Sequence, residues 1–336
     1  MTRHRPKVLP RAALLCGLLC GLLGGGCVTV HERASLPPPT RRPQRHVDPA
    51  TVVVDAVRFD GDAAYAYFDG NSGASLTFDE VLVRARAAQV VLVGEQHDQA
   101  VHHELQRRVV AALAAPNVRL TVGFEMLSWG YQAALDRLAR GQLDPDAFAA
   151  EIDWGKAWGF PFELYRPVFH AAVAGQASLA ALNAPRELVR AVRTKGLASL
   201  SPDELGQLPD LDVGDAIHRE WFKGIFSSGG HPATSGEVEA FYVAQVVWDE
   251  SMADRTVRAL EGGAEQVIVL AGVGHVARGR GIPQRVERRR PGVRVVSVVP
   301  LTGVDEDNAQ DRLRQAILHG EGDILVVPRF EREIDL

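Results

Sequence analysis

The chain has 336 residues and a formal net charge of −5, with 24% charged and 46% hydrophobic residues. This mildly acidic balance, with no basic aromatic platform, argues against nucleic acid as a partner, and the length suits one large domain or two small ones. Its three cysteines, Cys16, Cys20 and Cys27, all lie near the start; if Cys27 is lipidated, the mature domain has no thiol for catalysis, a disulfide or a thiolate metal site, and any metal must be held by His, Glu, Asp or Tyr.

The first element is a targeting segment. Arg3, Arg5, Lys7 and Arg11 form a positive n-region, and residues 12–23 form an apolar run ending in Gly24-Gly25-Gly26-Cys27. That run is short for a membrane span and has the proportions of a secretory signal. Small residues directly before a cysteine resemble a bacterial lipobox, which implies cleavage before Cys27 and acylation of its sulfur. An ordinary signal peptide or an uncleaved anchor is the alternative. Val28 rather than an aspartate follows the cysteine, which under lipoprotein sorting rules implies the outer membrane. The Pro- and Arg-rich stretch that follows, with Pro37-Pro38-Pro39 and Arg41-Arg42-Pro43, cannot bury a core and reads as a semi-rigid tether. The expected organisation is a signal peptide over 1–26, a tether over 27–49 and a folded domain over 50–336.

Within the domain, helix-like and strand-like segments alternate, predicting an α/β fold with a mainly parallel central sheet flanked by helices and a helical insertion. Residues 52–59 and 64–68 suggest a leading hairpin. A helix over 79–88 precedes the strand Val90-Val91-Leu92-Val93. Asp98 is the expected N-cap of a helix over 99–113, where Leu105, Val109 and Leu113 share a face. A strand over 118–122 leads to a helical region over 128–175 broken at Gly141, Pro145 and Pro161. A strand over 177–182 and a helix from near Pro185 follow. Residues 199–235 are the least regular part, with Trp221, Phe222 and Phe226 ahead of the loop Ser227-Ser228-Gly229-Gly230-His231-Pro232, and read as a lid or ligand wall. A long helix over 235–260 and strands over 267–270, 293–299 and 324–327 complete the chain.

Three valine-rich runs end in ionisable side chains: Gly94-Glu95-Gln96-His97, Gly123-Phe124-Glu125 and Ala271-Gly272-Val273-Gly274-His275. Ligands of parallel sheets gather beyond the carboxyl ends of the strands, so Glu95, His97, Glu125 and His275 are expected to converge. A carboxylate two residues from an imidazole can hold a cation or fix the imidazole tautomer. The competing assignments are helix capping for Glu95 and a salt bridge for Glu125. His102 and His103, one turn into the next helix, are expected to be solvated or partly packed. The glycines around His275 are spaced wrongly for a dinucleotide fingerprint, and no nucleophile elbow or P-loop occurs. Arg278, Arg280 and Arg285 could receive an anionic group.

Gly94-Glu95-Gln96-His97-Asp98, Gly123-Phe124-Glu125-Met126, Tyr165-Arg166-Pro167 and Ala271-Gly272-Val273-Gly274-His275, in this order over roughly residues 50–300, resemble the ChaN-like haem-binding, iron-regulated lipoproteins. These belong to a wider group resembling Tiki and TraB proteins and erythromycin esterases. The resemblance implies lipid attachment, haem as cofactor and partner, and haem held at or near a homodimer interface. Tyr165 or His275 would then face the iron, with Arg166, Arg278 and Arg280 near the propionates. Trp154, Trp158, Phe160 and Phe162 crowd Tyr165, an arrangement more common in cores than in cofactor pockets. The Tiki relatives imply a second function, a hydrolase with a divalent metal on Glu95, His97, Glu125 and His275 in which Glu95, His97 and Glu125 are catalytic. A third is a binding scaffold without turnover.

Overall fold

Val90–Val93 and Val267–Leu270 are wholly buried apolar runs, too uniformly apolar to face water on either side, so they must lie inside a sheet covered on both faces. In the computed structural model, which describes residues 52, 54, 56–59, 63–115, 117–228 and 234–329, they do. The described residues all fall in one compact unit, Leu36–Leu336. The expected signal peptide, lipidation site and tether lie outside them, and none of the described helices is long and apolar enough to cross a membrane.

The strands are β1 (Tyr65–Asp69), β2 (Ser75–Leu76), β3 (Val90–Glu95), β4 (Leu120–Ser128), β5 (Ser178–Asn183), β6 (Gln266–Gly272), β7 (Val295–Pro300) and β8 (Ile324–Pro328). They form one sheet in the order β2-β1-β8-β7-β3-β6-β4-β5. The six strands from β8 to β5 are parallel, and β1 lies antiparallel to both β8 and the edge strand β2. The expected hairpin differs: residues 52, 54 and 56–59 form no strand. Instead β1 turns through Gly70 to pair with β2 and finds its main partner in β8, more than 250 residues away. Local alternation cannot report such a partner.

The helices are α1 (Phe78–Ala87), α2 (Ala100–Leu113), α3 (Gln132–Ala139), α4 (Pro145–Glu151), α5 (Trp154–Ala157), α6 (Phe162–Ala174), α7 (Arg186–Lys195), α8 (Pro202–Gln207), α9 (Ala216–Ser228), α10 (Ser235–Glu261), α11 (Val273–Val276), α12 (Ile282–Arg289) and α13 (Ala309–Leu318). The sheet splits the core in two. Val91, Val93, Val122 and Phe124 pack on one face with Leu105 and Val109 of α2 and Tyr165 and Phe169 of α6. Leu92, Val267 and Val269 pack on the other with Met252, Ala253 and Val257 of α10 and Val286 of α12. Each fully buried valine or leucine contributes about 1.5–3 kcal/mol of transfer free energy, an upper figure because the unfolded chain already hides some surface.

Residues 216–228 are helical rather than irregular. Asp215 accepts hydrogen bonds from the Ile217 and His218 amides, each 3.1 Å, which serves the unpaired donors of the first turn. Phe222 and Phe226, one turn apart, pack at a tilt with ring centroids 6.0 Å apart, and Phe226 meets Phe241 of α10 at 4.9 Å. Residues 229–232 of the expected loop lie outside the described residues.

Candidate active and ligand site at the strand ends

Two carboxylate–imidazole pairs meet at the rim of the sheet. The first stands at the end of β3, where buried Glu95 accepts a 2.5 Å hydrogen bond from His97 Nδ1. Glu95 has the parity of Val91 and Val93, so it points to the α2 and α6 side. The loop beyond it is pinned from α2: the Gln96 amide donates to His102 Nδ1 (3.0 Å) and His103 Nε2 donates to the His97 carbonyl (3.2 Å). Both histidines are buried, not solvated. Asp98 is not the expected cap: α2 starts at Ala100 and Gln99 is its N-cap, with no side-chain cap hydrogen bond. Burial and neighbouring His103 hold His102 down to about 4, which keeps its Nδ1 a neutral acceptor.

The second pair lies across β6. Glu125 Oε2 accepts the Gly272 amide at 2.6 Å, and Oε1 lies 3.3 Å from His275 Nε2. His275 Nδ1 donates to Asp249 Oδ1 of α10 at 2.7 Å. Burial opposes charge on His275, but the Glu125 and Asp249 carboxylates outweigh it and push the imidazole up to about 10. Burial likewise opposes charge on Glu125, yet His275 and the Gly272 amide pull it down to about 2. His275 is therefore an imidazolium with both nitrogens donating. Against His97, burial is outweighed by the bond to Glu95 and by the Glu125 charge, so its pKa is raised.

Gly272 lets the pairs approach each other. It is the residue of β6 opposite Glu95, and a Cβ there would lie 3.0 Å from His97 Cε1 and 3.6 Å from Glu125 Oε2. His97 is the most open member, with about one third of its side chain exposed (32%). Trp158 and Phe160 flank its ring at 4.9 and 5.0 Å between centroids. Among the described residues its Nε2 makes no hydrogen bond, so one imidazole nitrogen stays available while the other is fixed by a carboxylate. That arrangement can take a proton or donate a lone pair to a metal.

Behind Asp249 lies a buried ionic layer. Arg285 Nε is 3.3 Å from Glu250 Oε1, Arg288 makes two 2.8 Å bonds to Glu250, and His218 Nε2 lies 3.7 Å from Asp249 Oδ2. Burial, the largest influence on His218, holds it down to about 4, so it adds no charge near neutral pH.

A family model for haem-binding uptake proteins of the Tiki superfamily, ChaN, matches residues 81–286, more than half of the chain and nearly all of the rim just described. The chain belongs to the ChaN family. Its fold is similar to that of ChaN from Campylobacter jejuni, solved with cofacially bound haem, at 17% identity and a TM-score of 0.63 over 80% of this chain and 98% of that one. More distant are the type III effector HopBA1 (14% identity, 75% of this chain and 93% of that one, TM-score 0.42) and an erythromycin esterase mutant in its open conformation (12% identity, 77% and 95%, TM-score 0.42). Among curated proteins nothing matches the sequence.

The ChaN-family motifs do not all reach the rim's open side. Glu95, His97, Glu125 and His275 come together, but they are paired with one another. Among the described residues no group of three or more His, Cys, Asp and Glu side chains is disposed to hold a metal. Tyr165 stands in the core, 1% exposed. Its hydroxyl accepts from Trp158 Nε1 at 2.8 Å and donates to the His97 carbonyl at 3.4 Å. Burial raises its pKa strongly, so an axial phenolate would first have to leave the core; its visible role is to support the loop that carries His97. Arg166 lies on the outer side of α6, paired with Asp146 (2.7 Å) and Glu163 (3.5 Å). Arg278 covers the Trp221 ring at 5.8 Å, and buried Arg280 turns to Asp215 at 4.0 Å. The expected anion-binding role of Arg285 gives way to its contacts with Glu250 and Asp249. Asp249, which holds His275 Nδ1 at 2.7 Å, is the site residue that sequence reasoning leaves unassigned, and its only sequence signal is a charged residue on an otherwise apolar helical face.

Proposed function

We propose that this protein is a lipid-anchored haem-binding protein that takes up or stores haem, attached to the outer membrane through Cys27 and acting as a homodimer. Membership of the ChaN family across residues 81–286 carries the reading. Haem iron needs an axial donor with a free lone pair. Both His275 nitrogens are donating and the Tyr165 hydroxyl is enclosed, whereas His97 keeps Nε2 free and its ring lies beside two aromatic side chains. His97 would hold the haem through Nε2, with Glu95 holding the Nδ1 proton and Trp158 and Phe160 offering an apolar wall to a flat macrocycle. Bound haem supplies an iron centre that accepts an axial ligand, and two propionates.

Titrating detergent-extracted protein with haemin tests the reading. A saturable, sharpened Soret band is expected, shifted or lost in His97→Ala and kept in His275→Gln. No saturable change in the wild type would overturn haem binding. Intact mass is expected to place acyl chains on an N-terminal Cys27, and an unmodified cysteine would remove the anchor. Light scattering with and without haemin checks the homodimer.

One observation favours a second reading, hydrolysis at the same rim: an oriented Glu95–His97 pair facing the Glu125–His275–Asp249 relay. A carboxylate-fixed imidazole with a free nitrogen is the geometry of a general base. Turnover of ester or amide substrates that disappears in Glu95→Gln, assayed with and without a chelator to reveal a divalent metal, would establish it. Its absence across such a panel would remove this reading.

A further inference from the structure

A cavity lies at the opposite end of the strand order from β5, between β1 and the helices that cover it. It has a volume of about 550 Å³, within the ~300–1,000 Å³ range of small-molecule sites. Tyr65, Tyr67 and Phe78 line it and form a continuous aromatic surface, with centroids 6.1 Å apart for Tyr65–Tyr67 and 5.5 Å for Tyr67–Phe78. Arg108 of α2 also lines it, with its guanidinium between two of those rings, 5.4 Å from the Tyr65 centroid and 5.0 Å from Phe78.

Two polar groups in this wall lack a hydrogen-bond or ion-pair partner among the described residues. The Tyr67 hydroxyl is buried and has no hydrogen-bond partner among the described residues, although Tyr67 is only 5% exposed. Leaving such a group unmet costs roughly 1–3 kcal/mol, so buried hydroxyls normally have partners. Arg108 makes no ion pair among the described residues: nearby Glu104 is taken by Arg107 through two bonds of 2.6 and 2.7 Å. Tyr65, by contrast, gives its proton to the Val101 carbonyl at 2.6 Å and offers only its ring. Arg58 adds a second cation to the lining.

We propose that this cavity binds a flat aromatic carboxylate, the ring lying against Tyr65, Tyr67 and Phe78 and the carboxylate accepting hydrogen bonds from the Tyr67 hydroxyl and Arg108. An unmet donor beside an unpaired cation calls for an anion, and the aromatic walls call for a planar apolar body. The site shares no residue with the rim and does not depend on haem.

Calorimetric titration of the full-length protein with naphthoate tests the assignment, with neutral naphthylmethanol as the matched control. The acid is expected to bind in one-to-one stoichiometry and the alcohol at least roughly tenfold more weakly, the value of one hydrogen bond to a charged group. Tyr67→Phe should weaken naphthoate by about tenfold or more, and Arg108→Gln should abolish binding. Without ligand, Tyr67→Phe should melt no lower than the wild type, because the hydroxyl it loses has no partner; a merely structural hydroxyl would lower it. Absence of naphthoate binding, equal binding of acid and alcohol, or unchanged binding in Tyr67→Phe would each overturn the proposal.

Discussion

Gly281→Ala asks whether His275 is held in place by the chain that folds back over it. A Cβ at position 281 would lie 2.1 Å from the His275 carbonyl oxygen and 2.7 Å from the carbonyl carbon, where non-bonded contacts begin near ~3.5 Å. Both clashing atoms are backbone and cannot rotate aside, so either residue 275 or the start of α12 must move by roughly 1 Å or more. His275 bridges Asp249 at 2.7 Å and Glu125 at 3.3 Å, and a shift of that size takes both beyond hydrogen-bond range. Overpacking costs about 1–3 kcal/mol and an uncompensated buried charge about the same again, so a loss of roughly 2–6 kcal/mol is expected. That is a large part of the ~5–15 kcal/mol available to a whole domain. Gly274, in the same motif, is the control: a Cβ added there would meet nothing within 4 Å, and alanine in place of a helical glycine gains up to ~1 kcal/mol. Urea unfolding followed by circular dichroism measures both variants, and ring NMR of His275 reports the displacement. A Gly281→Ala protein within ~0.5 kcal/mol of wild type, with an unshifted His275 resonance, would refute the reasoning.

Other predictions concern the same residues. His275 is raised from 6.5 to about 10, so its stabilising contribution is complete below 6.5 and is lost as pH rises through about 10; Glu125 is lowered from 4.5 to about 2, so its contribution is complete above 4.5 and is lost as pH falls through about 2. The stability gap between wild type and a Glu125→Gln/His275→Gln double variant should thus be widest between 4.5 and 6.5 and narrow toward alkaline pH, and a gap that widens there would contradict the pairing. Asp249→Asn removes one of the two carboxylates that outweigh burial at His275, so the imidazole should titrate lower, as read by NMR; an unchanged titration would assign the shift to Glu125 alone. Tyr165→Phe leaves the Trp158 indole without its acceptor and should cost about 1–3 kcal/mol in urea unfolding while the haemin spectrum keeps its shape, and a lost axial signature would return Tyr165 to the iron.

Legibility followed burial. The strands β3, β4, β6 and β7 and the helix α10 are readable because each buries an unbroken apolar run or stripe, and their shared polarity brings Glu95, His97, Glu125 and His275 to one rim. The partner of β1 is not readable, since pairing with β8 depends on residues more than 250 positions away. Helix α9 was hidden because two of its aromatic residues, Phe222 and Phe226, pack on each other and on neighbouring α10, leaving a weak amphipathic pattern. At the site, sequence shows which residues carry charge but not what answers it. Asp249 lies on α10, and only the packing of that helix brings its carboxylate to His275, where together with Glu125 it outweighs burial and makes the ring an imidazolium. Tyr165 shows the converse: a motif residue of the right chemistry whose hydroxyl is already used inside the core.

The rim works because two chemistries from opposite faces of the sheet meet there. Glu95 follows the parity of Val91 and Val93 toward α2 and α6, while Glu125, next to inward-facing Phe124, points the other way toward α10. Within the sheet these carboxylates would be separated by the strand between them, and β6 is that strand. Its last residue, Gly272, has no side chain to keep them apart, and its amide gives Glu125 a fixed donor at 2.6 Å. Any residue with a Cβ at this position would touch His97 at 3.0 Å. One imidazole thereby keeps a nitrogen without a hydrogen bond on the open side while the other is locked as a cation behind it, and this asymmetry, rather than the number of ionisable groups, sets His97 apart from the rest of the rim.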